Sequence, residues 1–215
     1  MLTVAACIIG IFGLLVIAEL LGKYKILKGE YHRKFLHMTA GTFIAFWPWL
    51  ISWRDIQLFA LAALIVMVAN HFSGFLNYRG RIGRATYGDI FMALAILVSA
   101  TLTNEKVFFM VAILEVALAD GLAAVAGISY GKQWTYKILN NKKTVIGSMV
   151  FWLASVCIIG AGLLPAHDLI SLQNYTLLLL LLPPTLTLVE NVSVLGLDNL
   201  AIAVLTIMAL RIFQY

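Results

Sequence analysis

Apolar runs long enough to cross a bilayer follow one another along almost the whole chain, and charge is confined to the short breaks between them. A helix needs about 20 apolar residues to span the hydrocarbon core. Such runs lie near 3–21, 36–53, 55–73, 87–103, 107–129, 145–164, 174–190 and 197–213. This pattern predicts an all-α integral membrane protein, a polytopic bundle of seven or eight transmembrane helices. The second and third runs meet at Trp53-Arg54-Asp55 and read as a tight hairpin. Composition agrees. Of 215 residues, 62% are hydrophobic and 12% charged, where soluble domains are about half apolar and a quarter charged. No linker, low-complexity tail or internal repeat divides the chain, so residues 1–215 read as a single membrane-embedded domain.

Charge sets an expected orientation. Twelve of the fifteen Lys and Arg fall between runs 1–2, 3–4 and 5–6: Lys23, Lys25, Lys28, Arg33, Lys34; Arg79, Arg81, Arg84; and Lys132, Lys137, Lys142, Lys143. The positive-inside rule places these three segments in the cytoplasm. The net charge of +5 therefore belongs to basic loops, and no soluble basic domain exists to carry nucleic-acid binding. The first run has no basic residue before it and three lysines after it. It reads as a first transmembrane helix with its N-terminus outside, rather than a cleaved signal peptide. With no transit peptide visible, the plasma membrane of a prokaryote is the expected location. Cys7 and Cys157 lie inside apolar runs and read as small buried hydrophobes.

Glu19, Asp89, Glu115, Asp120, Glu190 and Asp198 lie within or at the ends of these runs. An acid at a helix centre costs roughly 2.5–3.5 kcal/mol on insertion scales. Such groups must be paired, metal-bound, protonated or set in a polar cavity. Five of the six fall toward the expected cytoplasmic side, which predicts a polar cavity there. Polar contacts that only fix helix packing are the competing explanation.

The stretch around 120–148 is the richest in chemistry. Asp120 is followed by Gly127, Gly131, Lys142, Lys143, Thr144, Gly147 and Ser148. Glycines allow backbone N–H groups close to an anion. Lysines supply charge for phosphates, and hydroxyls and an upstream acid suit Mg²⁺. A helix beginning near Thr144 would turn its positive end to the same anion. The spacing is not Walker A, and Gly127-x-x-x-Gly131 equally fits a small-residue packing stripe. Two further clusters share this side. Arg33, His37 and Gly41 recur at four-residue steps and so share one helix face. Glu190 and Asp198-Asn199 flank a turn that holds no Lys or Arg. Pro183-Pro184 is expected to break or kink the run before it.

These pieces resemble the family of dolichol kinases and phytol kinases, which includes CTP-dependent diacylglycerol kinases. The resemblance runs from about Arg33 to the C-terminus. It rests on Arg33-Lys34-x-x-His37-x-x-x-Gly41, then Tyr87-Gly88-Asp89, then Asp120-x-x-Ala123-x-x-x-Gly127-x-x-x-Gly131 with Lys143-Thr144-x-x-Gly147-Ser148, and last Glu190 with Leu197-Asp198-Asn199-Leu200. Asp120-Gly121 and the small size look more like the phytol kinases than the large dolichol kinases.

The resemblance implies a CTP-dependent lipid-alcohol kinase. With Mg²⁺, such an enzyme transfers the γ-phosphoryl group of CTP to an isoprenoid alcohol (phytol, geranylgeraniol, polyprenol or dolichol) or to diacylglycerol at the cytoplasmic face. It implies Lys142, Lys143, Thr144 and Ser148 on the nucleotide with Gly127, Gly131 and Gly147, Mg²⁺ on Asp120, and Asp198 as either a second metal ligand or the acceptor of the alcohol proton. Asn199 stands beside Asp198, Arg33 and His37 neutralise the transferred group, and Glu190 orients these groups. The partners are then a membrane lipid and a nucleoside triphosphate, with a homo-oligomer left open. A phosphatidate cytidylyltransferase is the enzymatic alternative. A transporter is the alternative from another class, because buried acids also mark ion pathways.

Overall fold

The computed structural model describes residues 1–73, 87–138 and 141–214. Arg79, Arg81 and Arg84 lie outside the described residues. The order is α1 (Leu2–Lys23), α2 (Glu30–Ala45), α3 (Trp53–Ser73), α4 (Gly88–Leu102), α5 (Lys106–Leu114), a wide π-turn (Glu115–Ala119), α6 (Asp120–Tyr130), β1 (Thr135–Ile138), β2 (Asn141–Thr144), α7 (Val145–Gly162), α8 (Leu172–Val192) and α9 (Asp198–Ile212).

Among the described residues five segments are long and apolar enough to cross a membrane: α1, α3, the continuous Lys106–Tyr130, α7 and α8. The remaining three runs form shorter helices. At 1.5 Å per residue, the 15 residues of α4 and of α9 reach about 22 Å, against a hydrocarbon core of about 30 Å. The run at 36–53 divides. Its helix starts earlier, at Glu30, and stops at Ala45, and Trp47–Trp49 forms a single 3₁₀ turn around Pro48. Pro48 cannot donate to the preceding turn. The expectation at Pro183-Pro184 is also corrected: α8 runs unbroken through both. The hydroxyls of Thr185 and Thr187 donate to the carbonyls of Leu181 and Pro183 there. These bonds reach one turn back, whereas the carbonyls that the prolines leave without their usual donors are those of Leu179 and Leu180.

Lys106–Tyr130 is the axis of the bundle. Some 67% of its apolar stretch is buried, against 11% for α1. Phe108, Phe109, Val111, Ile113, Val116 and Ala117 are fully enclosed. Small residues allow close crossing, as membrane helices require. A Cβ at Gly41 would stand 2.5 Å from Ala117 Cβ, and one at Gly121 would stand 2.2 Å from Met38 Cγ. The two backbones therefore touch where α2 crosses the axis.

Polar ties fix the ends of the outer helices. Asn199 Nδ2 donates to Gly88 O (2.8 Å) and Arg211 Nη1 to Leu102 O (2.9 Å), so α4 and α9 lie side by side and parallel. Tyr175 OH donates to Gly160 O (2.9 Å) and Asn174 Nδ2 to Phe213 O (2.8 Å). α8 is thus antiparallel to both α7 and α9. Between α8 and α9 the chain turns left-handed at Leu195 (φ 57°) and Gly196 (φ 91°). That turn presents Leu195 O to the N–H of Tyr87 at 3.1 Å. The start of α2, the start of α4, the end of α6, the hairpin, the end of α8 and the start of α9 consequently share one end of the bundle.

Candidate active site

The site is built from that shared end. α2 carries Arg33, Lys34 and His37 inward, and the close crossing at Gly121 sets them against the first turn of α6. Lys34 is buried and donates to Asp120 Oδ2 in an ion pair. His37 Nε2 stands 3.9 Å from the same oxygen and 3.1 Å from Val116 O. The π-turn explains the second contact. The N–H of Asp120 reaches back five residues to Glu115 O, so Val116 O loses its usual donor four residues on. His37 donates to it instead, which fixes a proton on Nε2. Arg33 is held by Glu30 through two hydrogen bonds (2.8 and 2.9 Å) and feels the charges of Asp120 and Asp89.

β1 and β2 form the opposite wall. They pair antiparallel with Tyr136 opposite Lys143 and Lys137 opposite Lys142. Cross-strand partners share a face and neighbours alternate, so the two lysines point to opposite sides. Lys143 ion-pairs with Glu190 Oε1 and also donates to Glu190 O at 2.9 Å. Lys142 and Lys137 are exposed on the outer face. Tyr136 OH and Ser148 Oγ both donate to Asn191 Oδ1 (2.8 and 2.9 Å). This knot ties the hairpin and α7 to the end of α8.

The three glycines of the loop close around one side chain. A Cβ at Gly127, Gly131 or Gly147 would stand 2.7, 2.6 or 2.8 Å from Thr144 Oγ1. Thr144 itself caps α7 by accepting from the N–H of Gly147 at 3.0 Å. α6 and α7 can pack this tightly only because no side chain intervenes.

Asp198 completes the group. Its Oδ1 accepts from the N–H of Asn199 at 3.1 Å, and the charges of Asp120, Lys34 and Lys143 act on it. One carboxylate oxygen each from Asp120, Glu190 and Asp198 lies within 4.8 Å of the others. Ligand oxygens of octahedral Mg²⁺, at about 2.1 Å from the ion, stand about 3 to 4.2 Å apart. The three oxygens can meet on one such ion once they draw together, since at most one pair can lie trans and the other two must come to about 3 Å, and an all-oxygen donor set is the kind Mg²⁺ prefers. Among the described residues neither Lys nor Arg pairs with Asp198, whereas Asp120 and Glu190 each have a lysine.

Arg33, His37, Asp120, Lys143, Glu190, Asp198 and Asn199 thus converge from five elements. Gly127, Gly131, Gly147 and Thr144 form the packing beneath Lys143, Ser148 joins the Asn191 knot, and Lys142 faces outward. Sequence reading named Lys34 without giving it a role in the site, and passed over Tyr136 and Asn191. Lys34 carried a signal, since it stands three residues before His37 and shares its helix face. Tyr136 carried none, because its place depends on a hairpin inside what reads as a loop.

The chain is a helical membrane protein in which Arg33, Lys34, Asp120, Lys143, Glu190 and Asp198 meet at one end of the bundle. Over 194 residues it is 29% identical to a phytol kinase from Synechocystis sp., a match covering 86% of this chain and 80% of that protein. The resemblance to the dolichol and phytol kinase family is borne out over most of the chain. No family model and no solved structure matches it.

Proposed function

We propose that this protein is a lipid-alcohol kinase that transfers the γ-phosphoryl group of CTP to an isoprenoid alcohol such as phytol. The observation that carries the reading is the meeting of Asp120, Glu190 and Asp198 with Lys34 and Lys143, in a chain that matches a phytol kinase along most of its length. A long-chain alcohol lies in the bilayer with its hydroxyl at the surface, and a nucleotide arrives from water. The reaction belongs at the boundary, where this cluster sits. The basic segments support a cytoplasmic position for that end.

Phosphoryl transfer asks a protein mainly for positioning and charge neutralisation. Mg²⁺ held by Asp120, Glu190 and Asp198 would supply positive charge to the triphosphate. Lys143 leaves Glu190 for the phosphates, while Lys34 and His37 keep Asp120 oriented. Arg33 neutralises the oxygens of the transferred group. Among the described residues Asp198 pairs with no lysine and is held by Asn199, so its carboxylate, through the oxygen not on the ion, takes the alcohol proton. As the new P–O bond forms, the bond from the γ-phosphorus to the β–γ bridging oxygen breaks and CDP leaves.

The test is purified protein with labelled CTP, Mg²⁺ and, separately, phytol, geranylgeraniol, dolichol and diacylglycerol. A phosphorylated alcohol with release of CDP is expected. Absence of any labelled lipid refutes the reading, and pyrophosphate with a CDP-lipid makes the protein a cytidylyltransferase instead.

A further inference from the structure

A cleft of about 670 Å³ opens between α1, α2 and the central helix. Its walls include Gly10 and Leu14 of α1, Met38, Thr42 and Phe43 of α2, and Leu118 of the π-turn. The walls are apolar, and the volume is that of a typical small-molecule site. One end adjoins the charged cluster: Met38 follows His37 in the chain and packs its side chain on Gly121, the neighbour of Asp120. From there the cleft follows α2 from Met38 to Phe46, about 12 Å of helix, away from the polar end.

The helix on its outer side is held at separated points. His32 Nε2 donates to Ala18 O (2.7 Å) at the polar end. Farther along, Gly10 lies so close to Phe43 that a Cβ would stand 2.7 Å from Cζ. Cys7 and Ala18 are the buried residues of α1, and most of its remaining apolar surface faces outward. The cleft opens between these anchors. Thr42 lines it, its hydroxyl buried and without a hydrogen-bond partner among the described residues, whereas that of Thr39 is paired with Phe35 O and Leu36 O.

We infer that this cleft holds the hydrocarbon chain of the acceptor alcohol and aligns it so that its hydroxyl meets Asp120 and Asp198. The inference rests on the kinase reading and adds where the substrate tail lies and how chain length is measured. Its occupant is the acceptor, because the cleft ends at Met38, which follows His37 and packs on Gly121 beside Asp120. A bulk lipid chain would need no such continuity.

Two variants narrow the cleft from opposite walls, Leu14→Trp and Thr42→Leu. Leu15→Trp, on the exposed side of α1, is the control. In detergent or nanodiscs, KM for a twenty-carbon isoprenoid alcohol should rise at least about tenfold in the first two. KM for the ten-carbon alcohol and for CTP should stay within about twofold, and Leu15→Trp should match the wild type. Equal effects on both alcohols, or equal effects from Leu15→Trp, overturn the inference.

A second measurement does not need turnover. A twenty-carbon alcohol with a diazirine at its far end, irradiated with the wild-type protein, should label peptides of α1 and α2 around Leu14 and Phe43. Excess unlabelled alcohol should suppress that labelling, and excess phospholipid should not. Labelling elsewhere, or suppression by phospholipid, overturns the assignment. Groove labelling in a protein that phosphorylates no alcohol would uphold the tail site and refute the kinase reading separately.

Discussion

Replacing Asp120 with asparagine separates what the buried ion pair does for the fold from what it does for chemistry. Asp120 and Lys34 are each buried, and each is the other's ion-pair partner. Removing the carboxylate charge strips the Lys34 ammonium of its direct partner and leaves it only the more distant charge of Asp198. Breaking a buried pair in this way costs about 3–5 kcal/mol. His37, 3.9 Å from the carboxylate, cannot compensate, since it brings no negative charge. Replacing both partners with apolar residues of similar size removes the stranded charge as well, and such exchanges are often neutral. The pair Lys34→Met with Asp120→Leu should therefore recover most of the loss, giving a coupling of about 2–3 kcal/mol. Activity should behave oppositely. Both Asp120→Asn and the double variant should lose phosphoryl transfer by at least about 10²–10³-fold, because the proposed ligand is absent from each. Unfolding in mixed micelles followed by tryptophan fluorescence reads stability, and labelled CTP with phytol reads transfer. If Asp120→Asn is as stable as wild type, the ion-pair reasoning is refuted. A double variant with wild-type turnover would remove Asp120 from the reaction.

Four other outcomes follow from the geometry. Lys143→Met should raise the KM for CTP by roughly tenfold or more in initial-rate assays, whereas Lys142→Met, on the outer face of the hairpin, should change it less than about twofold. Chelation of Mg²⁺ should stop transfer, and Asp198→Asn should weaken Mn²⁺ binding measured by paramagnetic resonance; unchanged Mn²⁺ affinity would take Asp198 out of the metal site. Gly121→Ala places a methyl 2.2 Å from Met38 Cγ and should destabilise the bundle by about 1–3 kcal/mol, with Met38→Ala in the same chain relieving part of it. Tyr136→Phe removes one donor to Asn191 and should cost about 1 kcal/mol, read as a lower midpoint of thermal unfolding.

Apolar runs of bilayer length dictate helices, so the order of elements was legible in the sequence, and so was the gathering of Asp120, Glu190 and Asp198 toward one end. Helix bounds were less so. α2 begins at Glu30 because its polar first turns are stabilised by a site that sequence does not display. The hairpin of Thr135–Thr144 depends on Tyr136 finding Asn191, a contact 55 residues away. The glycines at 127, 131 and 147 illustrate a different limit. Spacing fits equally an anion cradle and a packing stripe, and only coordinates reveal Thr144 among them. Lys34 was read as a surface cation because lysines at membrane boundaries commonly snorkel. What buries it is the backbone contact of Gly121 with Met38, a property of two helices together.

The wide turn at Glu115–Ala119 has the effect of an inserted residue in an otherwise regular helix. Each α-helical residue advances about 100° around the axis. Winding the same residues at regular pitch would swing everything beyond them by roughly that angle relative to α5. Asp120 would then face away from Lys34, while the apolar stripe of Phe108–Ile113 stayed where it is. The aim of the carboxylate is therefore a matter of phase, set by the local winding of the backbone as much as by the identity of the side chain.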